Sequence, residues 1–109
     1  MEARPVKVGS GARVLVLGVY VPAIPNYALE ISGNLLAANE WNVDLRWATV
    51  GGGAIPSALR DLTALEISGR MSKFEILNRL LGDVDFHSYE YLIVIDDDIE
   101  LEPGFLDRF

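Results

Sequence analysis

The stretch that decides the fold runs from residue 91 to residue 100 and reads YLIVIDDDIE. Its first five residues are one aromatic and four aliphatic side chains, a run that predicts a strand buried on both faces. Such strands belong to parallel sheets that are covered by helices. In open α/β sheets the ligand binds just beyond the carboxyl ends of the strands, so the three aspartates lie where chemistry is expected.

The aspartate triplet predicts a cation site. Side chains two residues apart on an extended chain point the same way, so Asp96 and Asp98 can face one ligand while Asp97 is turned aside. Three like charges in a row repel each other, and a hard cation would relieve that repulsion because such ions favour carboxylate oxygens. We therefore expect Asp96 and Asp98 to bind Mn²⁺ or Mg²⁺, and the alternative is a solvated acidic strand end.

The composition limits the class of protein. The chain has 109 residues, half of them hydrophobic, which suits one small domain with a core. It has no cysteine and a single histidine, so disulfides, thiolate metal sites and multi-histidine sites are excluded. The lack of cysteine fits a reducing compartment, and we expect a cytoplasmic location. No apolar run reaches the roughly 20 residues that cross a bilayer, so we expect no membrane span.

The net charge of −7 is concentrated around the triplet. Residues 83–102 contain eight acidic side chains and no lysine or arginine. An acidic protein is a poor partner for the phosphate backbone, so we expect no nucleic-acid binding. A phosphate ligand suits this region if a metal bridges the two negative groups.

The rest of the chain predicts alternating strands and helices. Residues 1–11 lack periodicity and are expected to be a loose lead-in to a domain over residues 12–109. Strands are predicted over 13–21, 42–50 and 62–68. Helices are predicted from the Asn26 cap to about residue 39, over 56–61 and over 72–81, with a glycine turn at 51–53. This order predicts an α/β fold with a mostly parallel sheet.

The helix over 72–81 has the clearest signals. Ser72 and Glu75 form a capping box at its start, and Gly82 follows its end. One apolar stripe is predicted to face the sheet: Phe74, Leu77, Leu80 and Leu81.

The segment from Ile93 to Leu106 resembles the signature of GT-A glycosyltransferases, most closely the large family of inverting enzymes that use nucleotide-diphosphate sugars. That family shows an apolar strand, a D-x-D and a proline-glycine-aromatic-leucine turn. The helix segment KFEILN at 73–78 is similar to the family's K-x-x-x-L-N helix, and the loop from Pro22 to Asn26 resembles its nucleotide loop. The resemblance covers almost the whole chain. It implies a three-layer α/β/α sandwich of the nucleotide-diphospho-sugar transferase type.

The resemblance also implies roles for the aspartates. The chain would bind a nucleoside-diphosphate sugar whose diphosphate is held by the metal. Asp98 would ligate the metal directly. Asp96 would reach the ribose, or the metal through water, and Asp97 would touch the ribose if the strand twists at its end.

Three further residues become candidate substrate contacts by the same resemblance. Pro22 and Asn26 would contact the nucleotide, and Lys73 would approach the diphosphate. Alternatives stay open for two of them, since Asn26 is also an ordinary helix cap and Lys73 is also an ordinary exposed lysine at a helix start.

The chain departs from the family pattern in two places. The second strand ends in residues 48–51 without the acidic residue that contacts the nucleotide, so base recognition would come from elsewhere. The chain ends at Phe109, before an acceptor site or catalytic base, so no catalytic residue is expected within it. We expect the nucleotide-binding half of a domain truncated on its C-terminal side, with activity in the longer parent. An uncovered sheet edge would invite self-association.

Two alternatives belong to other functional classes. One is a metal- or nucleotide-binding α/β module without turnover. The other is a D-x-D nucleotidyl-transfer domain of the topoisomerase-primase kind, which needs a catalytic glutamate after its first strand. Residues 19–26 contain no glutamate.

Overall fold

A computed structural model describes residues 4–7, 12–82 and 84–108 of the chain. The strands are β1 (Arg4–Lys7), β2 (Arg13–Tyr20), β3 (Asn42–Val50), β4 (Thr63–Ile67) and β5 (Tyr91–Asp96). The α-helices are α1 (Ala28–Leu36) and α2 (Lys73–Leu81). Short 3₁₀ turns cover Ser57–Leu62, Phe86–Ser88 and Leu106–Arg108.

The strands form one sheet in the order β1-β5-β2-β3-β4. Strands β5, β2, β3 and β4 are mutually parallel, and β1 is antiparallel to β5. The predicted α/β fold with a mostly parallel sheet is therefore confirmed. Strand β4 pairs only with β3 among the described strands. The self-association expected at a sheet edge stays a prediction.

The N-terminus differs from the expectation of a loose lead-in. Residues 4–7 form β1, which pairs with β5 in a register that sets Arg4 opposite Val94 and Lys7 opposite Tyr91. Residues 1–3 and 8–11 lie outside the described residues. Four residues are too few to show a hydrophobic period, and Pro5 argues against a strand when the sequence is considered alone. An edge strand tolerates proline, and β1 forms because β5, which is distant in sequence, is its partner.

The two faces of the sheet carry separate hydrophobic clusters, because successive side chains of a strand point to opposite faces. Helix α1 packs in the cluster on one face, which we call the α1-side core. The buried residues of this cluster include Val14, Val16, Tyr20, Ile31, Leu35, Trp47, Ile93 and Ile95. Helix α2 packs in the other, and its buried members are Leu15, Leu17, Ala48, Ile67, Ile76, Leu80 and Tyr89.

The predicted apolar stripe of α2 was wrong at Phe74, which does not face the sheet. Phe74 is 75% exposed, while Ile76 and Leu80 are buried against the sheet. Phe74 precedes Ile76 by two residues, which places it about 200° around the helix. The buried stripe is centred on Ile76 and Leu80, so Phe74 faces away from the core.

Trp47 is buried at the centre of the α1 face. Its Nε1 donates to Ser32 Oγ at 2.8 Å, and Ser32 Oγ donates to Ala28 O at 2.7 Å. The indole lies against Gly18 of the neighbouring strand, where an added Cβ would be 2.4 Å from a ring atom. Glycine at position 18 is therefore needed for the ring to fit.

We predict that Gly18→Ala destabilises the fold by about 1–3 kcal/mol, because the new methyl overlaps the Trp47 ring and forces repacking. Gly33→Ala is the matched control. A Cβ at Gly33 meets nothing within 4 Å, so Gly33→Ala should raise the free energy of unfolding by roughly 0.5–1 kcal/mol, because alanine favours the helix more than glycine does. Urea unfolding measures both, and equal effects of the two substitutions would contradict this packing.

A polar cluster joins the amino-terminal ends of β2 and β3 to the residues before β5. Tyr89 Oη donates to Asp44 Oδ2 at 2.6 Å, and Arg13 donates to the same oxygen at 2.8 Å. The Arg13 guanidinium also lies 4.6 Å from the centre of the Tyr89 ring. The hydrogen bond from Tyr89, followed by the Arg13 interactions, lowers the pKa of Asp44.

We predict that Tyr89→Phe lowers the free energy of unfolding by about 1 kcal/mol at pH 7, since Asp44 is half exposed and the bond is partly screened. The Asp44 pKa is lower in the folded state, so its contribution is full above the unfolded value near 4 and disappears as pH falls through the folded value. The deficit of Tyr89→Phe should therefore shrink below about pH 4. Urea unfolding from pH 7 to pH 3 tests this, and a deficit that is constant with pH would contradict it.

Candidate functional site

The candidate site lies between the carboxyl ends of β2 and β5. From β2 the chain passes through α1 to β3 on one side, while β5 lies on the other side of β2. In an open parallel sheet, a crevice for ligands opens where the connections diverge in this way. The aspartate triplet and the loop over residues 21–27 meet at this position through Asp97, and we call the region between them the crevice.

Asp97 joins the two strand ends. Its Oδ2 accepts a hydrogen bond from Val21 N at 3.0 Å, and its carbonyl oxygen accepts one from Tyr27 N at 2.7 Å. The Asp97 side chain is thus turned towards the loop after β2. Strand β5 ends at Asp96, so Asp97 and Asp98 lie in the turn that follows, and the common orientation of Asp96 and Asp98 stays a prediction. One of its carboxylate oxygens has a structural partner, and its contact with a ribose stays a prediction.

Asp96 and Lys73, both candidate residues, are brought together as an ion pair between Oδ1 and Nζ. The Asp96 side chain is only 18% exposed, whereas that of Lys73 is 41% exposed. Lys73 is the first residue of α2, and the Ser72 side chain caps that helix by accepting from Glu75 N at 3.2 Å. The ammonium offsets part of the repulsion within the triplet.

Asp98 is exposed, and it forms no hydrogen bond or ion pair within residues 4–7, 12–82 and 84–108. Over the same residues, no three acidic or histidine side chains converge as a group that could hold a metal. Asp98 is available to a ligand, whereas Asp96 already contacts a cation. The binding of Mn²⁺ or Mg²⁺ by Asp96 and Asp98 stays a prediction.

The loop after β2 is held by Asn26. Its Nδ2 donates to Val21 O at 3.0 Å and to Ile24 O at 3.1 Å, and its Oδ1 accepts from Ala28 N at 2.9 Å. The residue at the helix-cap position is Tyr27, so the predicted cap was wrong by one residue. The Asn26 side chain still bonds the first turn of α1. Pro22 is partly buried in the same loop, and its contact with a nucleotide stays a prediction.

The glycines at 51–53 form the neighbouring wall. All three have positive φ, and a Cβ at Gly53 would lie 2.9 Å from Ala23 N. This turn therefore packs against the loop after β2, and it needs glycine for conformation and for close approach. Beyond it a groove of about 570 Å³ runs beside Arg70, a residue that the sequence pattern did not single out. The sequence offered only one hint of this groove, namely that Arg70 lies two residues before the Ser72 cap of α2.

Comparisons of the chain with models of protein families, with curated proteins and with solved structures found no match. In the described part of the chain, no helix is both long enough and apolar enough to cross a membrane.

We predict that adjacent aspartates differ in their effect on stability. Asp97→Ala leaves the Val21 N–H without its partner and should cost about 1–3 kcal/mol, while Asp97→Asn keeps an acceptor and should cost less. Asp98→Ala is the matched control and should stay within about 0.5 kcal/mol of the unmodified protein. Chemical unfolding of the three variants measures this. An equal loss for Asp97→Ala and Asp98→Ala would show that Asp97 does not hold the crevice.

Proposed function

We propose that this chain binds the nucleoside-diphosphate part of a nucleotide sugar, as the donor-binding half of a GT-A-type glycosyltransferase. The observation that carries the proposal is the position of the aspartate triplet. It lies at the carboxyl end of β5, beside the loop after β2, with Lys73 against Asp96. This is the place where open α/β sheets bind their ligands.

The arrangement of the sheet supports the proposal. Counted along the chain, the four parallel strands have the order 3-2-1-4, which matches the first half (3-2-1) and the next strand of a doubly wound dinucleotide-binding sheet. Helices α1 and α2 belong to clusters on opposite faces. Both features support the proposed three-layer α/β/α sandwich.

The residues at the crevice fit a hard divalent cation. Carboxylate oxygens are the donors that Mn²⁺ and Mg²⁺ favour, and Asp98 offers its pair of oxygens without competition from the described residues. Asp96 would be the second donor. When bound, the ion would neutralise charge on the diphosphate leaving group.

Lys73 would contact the diphosphate in addition to the metal ion. Its ammonium is on a flexible stem and is partly exposed, so it can turn from Asp96 to a phosphate oxygen. Asp97 would keep the loop after β2 in position.

We predict metal-dependent nucleotide binding. Calorimetric titration with UDP and with GDP should show binding in Mn²⁺ and at least about tenfold weaker binding in its absence. Asp98→Ala should reduce the Mn²⁺-dependent affinity by at least about tenfold, since it removes a proposed ligand that has no structural partner.

Asp61→Ala is the control for this titration. Asp61 is an exposed carboxylate in the 3₁₀ turn that leads into the amino-terminal end of β4, away from the crevice. This variant should bind like the unmodified chain. Nucleotide affinity that is the same with and without Mn²⁺ would overturn the proposal that a metal holds the diphosphate. An equal loss of affinity in Asp98→Ala and Asp61→Ala would also overturn it. The absence of binding to either nucleotide would overturn the donor-binding role.

A further inference from the structure

A cavity of about 250 Å³ lies between the start of α1 and the residues that follow the aspartate triplet. Its lining residues are Tyr27, Glu30, Ile31, Ile99, Glu100 and Leu101. The apolar members form a floor that belongs to the α1-side core, whereas the two glutamates and the tyrosine are exposed. The cavity thus combines an apolar surface with an acidic rim.

The rim groups interact with one another. A hydrogen bond to Glu100, and then the charges of Glu100 and Glu30, raise the pKa of the Tyr27 phenol. Tyr27, Glu30 and Glu100 all line this one cavity, so a single ligand in it can contact all three side chains. Neither glutamate forms an ion pair with a lysine or arginine in the part of the chain that the structure describes. The cavity has negative charge on its rim and no cation of its own.

We propose that this cavity binds a small organic cation, namely a primary ammonium on a short apolar stem. The ammonium would lie between Glu30 and Glu100, where the face of the Tyr27 ring can add a cation–π contact. The stem would contact Ile31, Ile99 and Leu101. With about 30 Å³ for a water-sized group, the volume accommodates roughly eight non-hydrogen atoms.

Other ligand classes fit this cavity less well. An anion would be repelled by the two carboxylates. A divalent metal ion needs several oxygen donors, and the apolar floor supplies none. A neutral ligand would gain no charge attraction from the two carboxylates. The ammonium group of an alkylammonium ion pairs with the acidic rim, and its alkyl chain contacts the apolar floor.

The cavity is separate from the diphosphate crevice but shares a wall with it. Tyr27 N donates to Asp97 O at 2.7 Å, and the lining residues Ile99 to Leu101 follow the triplet directly. The inference needs no nucleotide, so it stands independently of the proposed function. Its test likewise uses the chain without nucleotide or metal.

The test is an NMR titration of the ¹⁵N-labelled chain with butylammonium chloride, and with 1-butanol as the neutral counterpart. Butylammonium should give saturable shifts at residues 27–31 and 99–101, and butanol should bind at least about tenfold more weakly. The double variant Glu30→Gln/Glu100→Gln should weaken butylammonium binding about tenfold, as expected for two partly exposed ion pairs. Raising the salt to about 1 M should weaken it as well.

The double variant Glu40→Gln/Glu66→Gln is the control, because it removes the same charge from exposed positions outside the cavity. It should bind butylammonium like the unmodified chain. Glu30→Lys introduces an ammonium at the rim and should abolish binding, with circular dichroism confirming the fold. The proposal is overturned if butylammonium gives no saturable shifts at these residues. It is also overturned if butanol binds equally well, or if the control variant loses as much affinity as Glu30→Gln/Glu100→Gln.

Discussion

The hydrogen bonds of Asp97 hold together the edge of the sheet that carries the candidate site. Its carboxylate accepts from Val21 N and its carbonyl accepts from Tyr27 N, so one residue joins β5, the loop after β2 and the start of α1. The two neighbours of Asp97 do not share these partners, since Asp96 pairs with Lys73. Both the crevice and the cavity beside Tyr27 share this joint.

Charge is the second constraint on this edge. Three adjacent carboxylates at a strand end repel each other, and the structure relieves that in two different ways. The Asp97 carboxylate accepts a hydrogen bond from Val21 N, and Asp96 receives the Lys73 ammonium at the start of a capped helix. Asp98 has neither kind of partner in the described part of the chain. The excess negative charge at Asp98 is what a divalent cation would neutralise in the proposed site.

Sequence reasoning was accurate where the signal was local. The long apolar strands and the Ser72 cap were predicted because burial and capping need few distant partners. Strand β1 was missed because its pairing is decided by β5, and Phe74 was misplaced because the buried stripe of α2 is centred elsewhere. Lys73 and Asp96 were both candidates, but only the crossover of α2 brings them together. The cavity was not foreseen, because it depends on how residues 99–101 pack on α1.

We propose that the crevice between β2 and β5 holds a divalent cation and a diphosphate. Anomalous diffraction at the manganese edge, from crystals grown with UDP and Mn²⁺, tests it most directly. We expect one manganese peak coordinated by an Asp98 carboxylate oxygen and a diphosphate oxygen, with Asp97 still bonded to Val21 N. A nucleotide bound without manganese at the triplet, or manganese bound only elsewhere on the chain, would contradict it.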